Sequence, residues 1–206
     1  MSFFRLYLVT DRTRTAGRPL LQVVEAALQG GVDAVQLREK DLAARELYAL
    51  ASELSVLCRR QGARLLINDR IDVALAVGAD GVHLPGGSFT PADARAVLGP
   101  QALIGASTHN LEQAQRAAAG GADFIVFGPI FDTPAKRQYG APVGLQALGV
   151  VTEKVTLPVL AIGGITGERV ESVRQHRVYG VAVISAILEA DDPRAAALAL
   201  RAALAG

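Results

Sequence analysis

The 206-residue chain reads as an α/β protein, a single (β/α)8 TIM barrel spanning 1–206, and three observations predict it. Short apolar runs of strand length alternate with helical patterns from end to end, which implies a parallel sheet with crossover helices. Those runs are continuously apolar, as strands buried on both faces are. Polar residues gather at the C-terminal ends of the runs, where barrels of this kind carry their sites. An open doubly wound sheet would more often show a glycine fingerprint after its first strand, and here Asp11-Arg12 follows instead.

Leu6–Thr10 is the first strand, and Leu20–Gln29 a helix closed by Gly30-Gly31. Ala34–Leu37 is the second strand. Ala43–Arg60 is a long helix with Leu47, Leu50, Leu54 and Leu57 along one face. Arg64–Ile67 is followed by a short helix ending near Gly78, then by the strand Gly81–Leu84. Thr90 caps the next helix with Pro91 in its first position. Leu103–Ala106 and Phe124–Phe127 are strands five and six, with the helix Leu111–Ala119 between them. A polar loop bearing proline and glycine runs from Gly128 to Gly144. Val159–Ile162 and Val181–Ile184 are strands seven and eight, and Pro193–Leu204 closes the chain as an alanine-rich helix. A weak repeat runs through this order: Asp33, Asp80 and Asp123 each stand in a Gly-x-Asp just before a strand, and Tyr179-Gly180 keeps only a glycine. The glycines stop helices and the aspartates suit turns.

Half the residues are apolar and the net charge is +1, so no electrostatic footprint points to nucleic acid or to an anionic membrane. Cys58 is the single cysteine, which excludes an internal disulfide and a cysteine-rich metal site. The opening MSFFRLYLVTD enters a strand without a leader pattern, and no apolar run reaches membrane-spanning length. The expected setting is cytoplasmic. Apolar outer helices are compatible with a homodimer.

The candidate site residues are those at strand ends. Gly163-Gly164 before a helix and Ile184-Ser185 after the last strand would form a cup for a phosphate dianion, since glycines let backbone N–H groups approach a ligand and barrels often bind phosphate there. Arg38 and Lys40, at alternate positions after strand two, suit phosphate or carboxylate. Lys136 in the long loop is a third cation. His109, after Ser107-Thr108, is the first choice for moving a proton near neutral pH. His83 fits a packed core histidine and His176 a surface turn. Asp69 could supply one carboxylate to Mg²⁺, with Asp132 on the long loop the other acid available.

YLVTD (7–11), VQLREK (35–40), INDR (67–70), GVHL (81–84), GASTH (105–109), FGPIFDTPAK (127–136), AIGGI (161–165) and AVISAI (182–187) together resemble the thiamin-phosphate synthase/TenI superfamily, in order over essentially the whole chain. The resemblance implies a (β/α)8 barrel, thiamin metabolism and a phosphorylated thiazole held at Gly164 and Ser185. For the synthase, which joins a pyrimidine pyrophosphate to a thiazole phosphate with Mg²⁺, it implies Arg38, Lys40, Ser107 and Lys136 on pyrophosphate. Gln36 and Asn68 would then lie near the pyrimidine and Asp69 on the metal. Ser88 stands where synthases usually carry a second aspartate, and Ala135 where they usually carry threonine. HLPGGS (83–88) and TPAKRQYGAPVGL (133–145) look like the TenI branch, whose activity is a thiazole tautomerase working without metal. The sequence therefore places first a tautomerase with no cofactor and His109 as its general acid/base. The Mg²⁺-dependent synthase is the alternative. A non-catalytic thiazole-phosphate-binding or regulatory protein stands third.

Overall fold

The computed structural model describes residues 4–133 and 141–206. Among these, eight strands form a closed parallel barrel in chain order: β1 Leu6–Val9, β2 Ala34–Leu37, β3 Arg64–Asn68, β4 Gly81–Leu84, β5 Leu103–Thr108, β6 Phe124–Phe127, β7 Val159–Ile162 and β8 Gly180–Val183. The helices between them are α1 Leu20–Gln29, α2 Ala44–Gln61, α3 Ile71–Val77, α4 Pro91–Leu98, α5 Leu111–Ala119, α6 Gly144–Lys154 and α7 Gly167–Arg174. A single turn, α8 Ser185–Leu188, and the closing helix α9 Pro193–Ala205 follow. The predicted fold class is the one observed.

Period-two geometry divides each strand between two apolar environments. Leu6 and Leu8 of β1 point outward into the layer beneath the helices, with Val35, Leu37, Leu65 and Ile67 from the next two strands. Tyr7 and Val9 point inward, where they meet Ala34, Leu66, Phe124, Val126, Leu160 and Ala182. Phe4 packs against this inner cluster, its ring centroid 5.0 Å from both Tyr7 and Phe124. The outward face of the strands is almost wholly apolar and much of the inward face is too, which accounts for the nearly continuous hydrophobic runs; Gln36 and His83 are buried polar exceptions inside the barrel.

Local signals set the helix ends. Thr90 and Asp93 cap α4 reciprocally: Thr90 Oγ1 accepts from the Asp93 N–H, and the Asp93 carboxylate accepts from the Thr90 N–H at 2.9 Å. Asn110 and Asp192 cap α5 and α9 through their side chains. At the first residue before α2, the Ala43 N–H donates to Glu46 at 3.1 Å.

Three boundaries differ from the sequence reading in ways that bear on the site. β5 continues to Thr108, which puts Ser107 inside the ladder with its side chain toward the barrel interior. β8 starts at Gly180 and ends at Val183, so Ile184 leaves the strand with φ −121° and ψ −86°. Ser185 then opens the extra turn α8, too short to leave a periodic trace in the sequence. None of the described helices is long and apolar enough to cross a membrane.

Candidate active site

The mouth of the barrel is built from strand ends, and its deepest polar layer lies on β1, β2, β4 and β5. Gln36 is buried and donates from Nε2 to the Tyr7 hydroxyl at 3.0 Å. Burial pushes the Tyr7 phenol far above its usual range, against the smaller opposing effect of Gln36, so it stays a neutral hydroxyl. His83, 2 % exposed, packs 6.1 Å from the Tyr7 ring and 5.9 Å from Phe124. Its Nε2 lies 2.8 Å from Ser107 Oγ, and its Nδ1 has no partner. Burial, helped by the Arg38 charge, lowers its pKa to about 3.

A neutral ring has one N–H, and an orphan donor costs more than an orphan lone pair. His83 therefore donates from Nε2 to Ser107, leaving the serine proton free for a ligand. Gly105 makes room for this: a Cβ there would overlap Phe124 Cζ and come within 2.7 Å of His83 Nδ1. Sequence reasoning took His83 as a packed core histidine. It is packed, and it also orients Ser107.

Alternation after β2 sorts the Arg38-Glu39-Lys40 run. Arg38 is half-buried, its N–H donating to Thr10 Oγ1 at 2.9 Å, and its charge reaches His83 across the barrel. Lys40 is exposed at the rim. Among the described residues neither cation is in an ion pair, so both are available to an anionic ligand. Glu39 turns the other way: it is buried and accepts from the Arg12 N–H at 3.1 Å and from Arg12 Nη1 at 3.3 Å. Arg12 also forks onto Asp41 at 2.6 and 2.8 Å, which holds the Asp41 carboxyl below the usual carboxylate range. This staple, which fixes the loop after β1 against the one after β2, was missed from sequence because its partners lie far apart in the chain.

On the β3–β4 side, Asn68 ends its strand and Asp69 sits in the left-handed region at φ +66°. The Asp69 N–H donates to the His83 carbonyl at 2.9 Å, and its carboxylate takes a hydrogen bond from the Ser88 hydroxyl. Both line a cavity of about 460 Å³ with Gly87, Phe89, Thr90 and Asp93. Asp93 is already engaged as the α4 cap, and its pKa is lowered by the Thr90 hydroxyl and N–H. Among the described residues no three His, Cys, Asp or Glu side chains cluster as a cation site. The donors present suit Mg²⁺ only as an ion shared with a ligand's phosphates, a mode that needs just one or two protein carboxylates.

On the β5–β6 side, His109 is exposed, with Nδ1 2.5 Å from the Gly128 carbonyl and its backbone N–H on Gln113 at 2.8 Å. A carbonyl only accepts, so Nδ1 carries the proton and Nε2 of the neutral ring is the basic nitrogen.

At β7 and β8 the glycines serve a purpose besides ligand approach. The segment after β6 lies directly on them: Ile130 N–H donates to the Ile162 carbonyl at 2.8 Å and Phe131 N–H to the Gly163 carbonyl at 3.0 Å. Gly163 has φ +100° and Gly164 φ +64°, and a Cβ on either would run into Pro129 or Phe131. Arg169 locks this seam, donating from Nη1 to the Gly164 carbonyl at 2.7 Å with its guanidinium 4.8 Å over the Phe131 ring. The amides of Gly163, Gly164 and Ser185 have no acceptor among the described residues and remain open to an anion.

Gln36, Arg38 and Ser107 thus share the barrel mouth with His83. Asn68 and Asp69 stand on one flank, His109 on the next, and Gly163, Gly164, Ile184 and Ser185 complete the ring. Lys136 and Ala135 lie outside the described residues.

A family model described as thiamine monophosphate synthase matches residues 6–187. The thiamine-phosphate synthase of Roseiflexus castenholzii is 47% identical over 196 residues, covering 95% of this chain and 86% of that one. That of Clostridium novyi is 45% identical over 198 residues, covering 96% and 97%. Among solved structures, thiamine phosphate pyrophosphorylase from Pyrococcus furiosus superposes with a TM-score of 0.89 at 39% identity, covering 98% of this chain and 95% of that one.

Proposed function

The chain belongs to the thiamine monophosphate synthase family, and on that premise we propose that it is a thiamine-phosphate synthase, joining a pyrimidine pyrophosphate to a thiazole phosphate. The observation that carries this reading is the pair of unpaired cations, Arg38 and Lys40, on the same mouth as the ligand-facing Ser107 hydroxyl. Joining the two rings expels pyrophosphate, and a group of that charge calls for fixed positive charge and O–H donors where it departs. Arg38 and Lys40 supply the first, and Ser107, its oxygen held by His83 Nε2–H, the second. Gln36, fixed by Tyr7, and Asn68 present amides for the pyrimidine edge. The open amides of Gly163, Gly164 and Ser185 suit the thiazole phosphate. Mg²⁺, held by Asp69 together with substrate oxygens, would neutralise charge on the leaving pyrophosphate.

A thiazole tautomerase stands first on the sequence, because Ser88 replaces an acid and 83–88 and 133–145 resemble the TenI branch. The relatives named for the synthase support the other branch. Two observations still favour the tautomerase as a second reading. Ser88 spends its hydroxyl on Asp69 where a second carboxylate would help hold Mg²⁺, and His109 has a proton-accepting Nε2 already set by Gly128.

One experiment separates the two. The purified protein is given hydroxymethylpyrimidine pyrophosphate, thiazole phosphate and Mg²⁺, and in parallel a carboxythiazole phosphate tautomer alone. Thiamine phosphate is expected in the first tube, with a rate about 10–100-fold lower for Arg38→Ala, the cost of losing one charged contact. No product there, with isomerisation in the second tube that His109→Asn abolishes, would overturn the synthase and establish the tautomerase.

A further inference from the structure

The Gly-x-Asp repeat has a structural counterpart at the end of the barrel opposite the mouth. Asp33 donates its N–H to the Leu6 carbonyl at 3.0 Å and accepts the Leu6 N–H on its carboxylate at 2.9 Å. Asp80 makes the same reciprocal pair with Leu65, at 2.9 Å in both directions. Asp123 makes it with Ile104, at 2.8 and 2.7 Å. Each carboxylate also pairs with an arginine, respectively Arg201, Arg64 and Arg95. One carboxylate clamp thus joins β1 to β2, β3 to β4, and β5 to β6.

The remaining pair, β7 and β8, carries half of the device. Tyr179 donates its N–H to the Val159 carbonyl at 2.9 Å, as the aspartates do to theirs, but has no carboxylate to return. Val159 is 3 % exposed, and its N–H has no acceptor among the described residues. Here Val159 lines a cavity of about 330 Å³ together with Arg5, Thr152 and Arg177. Neither arginine is in an ion pair among the described residues; Arg5 donates to the Leu204 carbonyl at 3.3 Å and lies 6.0 Å over the Tyr179 ring. Arg177 is held in the left-handed region at φ +56°.

A buried N–H without an acceptor is costly, and guanidinium groups pair with oxyanions by charge-assisted hydrogen bonds. We propose that this cavity is an oxyanion site, taking a small carboxylate or phosphate-type anion in the place that Asp33, Asp80 and Asp123 fill from the chain itself. It stands apart from the catalytic mouth and is independent of which reaction runs there. Its occupant acts on stability, by binding the folded chain and not the unfolded one.

The test is an amide-resolved NMR titration of the ¹⁵N-labelled protein with sodium acetate and with inorganic phosphate, against sodium chloride at matched ionic strength. The Val159 amide is expected to shift saturably with at least one of the two anions and not with chloride. The Gly164 and Ser185 amides report separately on phosphate at the mouth. Acetate alone acting marks a carboxylate site and phosphate alone a phosphate site. Arg177→Gln should weaken the Val159 response about tenfold, one lost charged contact. Tyr179→Asp, which supplies the fourth carboxylate, should abolish the response and raise resistance to urea without added anion. No saturable shift at Val159 with either anion, or a shift unchanged in Arg177→Gln, overturns the proposal, and the Arg177→Gln arm decides even if Tyr179→Asp does not fold.

Discussion

His83 joins two conditions that pull in one direction: its Nε2 is committed to Ser107, and the rest of the ring is sealed among Tyr7, Phe124 and Gly105. An unfolded histidine titrates near 6.5 and this one only at about 3. Between those values the unfolded chain holds more protons than the folded one, so the contribution of a neutral His83 is intact above pH 6.5 and is lost as pH falls toward 3. The loss is about 2 kcal/mol at pH 5. Urea unfolding at pH 7 and pH 5 should show a smaller drop for His83→Gln than for the parent chain. Equal drops would mean that another group carries the acid sensitivity. At Gly105 the constraint is volume. Gly105→Ala should cost about 1–3 kcal/mol, the usual range for overpacking, because a Cβ meets both Phe124 and His83. It should also lower turnover by displacing the imidazole from Ser107. Unchanged activity with lowered stability would separate packing from the orientation of that serine.

The elements were more legible than their contacts. Eight strands could be read because each is a short, mostly apolar run buried on both sides, and α4 could be bounded because Thr90, Pro91 and Asp93 form a local cap. The end of β5 was placed two residues early, since Ser107 and Thr108 are polar and a polar pair reads as loop. Glu39 was invisible as a structural acid: it sits between Arg38 and Lys40 in the sequence, and only the pleat sends it to Arg12. The glycine pair 163–164 was read for ligand approach, while its φ values and the packing of Pro129 and Phe131 add a tertiary demand that no local pattern announces. The repeat aspartates were assigned to turns, and they are cross-strand clamps. Asp123→Ala strips the Ile104 N–H of its acceptor and Arg95 of its carboxylate, though not of its carbonyl partners, and should cost about 1.5–3 kcal/mol by denaturant unfolding. Asp123→Asn, which keeps the acceptor, should cost less. Equal costs would show that the ion pair matters and the backbone bond does not.

For the whole molecule, closure rests on β8 returning to β1, where Leu6, Tyr7 and Leu8 pair with Val181, Ala182 and Val183, and on α9 packing against α1 over that join. Candidate site residues come from every quarter of the ring, so no fragment holds a complete mouth. The quarters are nonetheless unequal, since three are clamped at the base by a carboxylate and the one made by β7 and β8 is not. In native-state hydrogen exchange such inequality appears as a weak place, where local opening precedes global unfolding. Amides of β7 and β8 near Val159 and Gly180 should exchange by a lower-energy opening than those of β3 and β4, and Tyr179→Asp should bring the two into line. The missing aspartate would thus decide where this barrel first breathes, and Gly163 and Ser185, at the other ends of the same two strands, would lie on the part of the wall that moves.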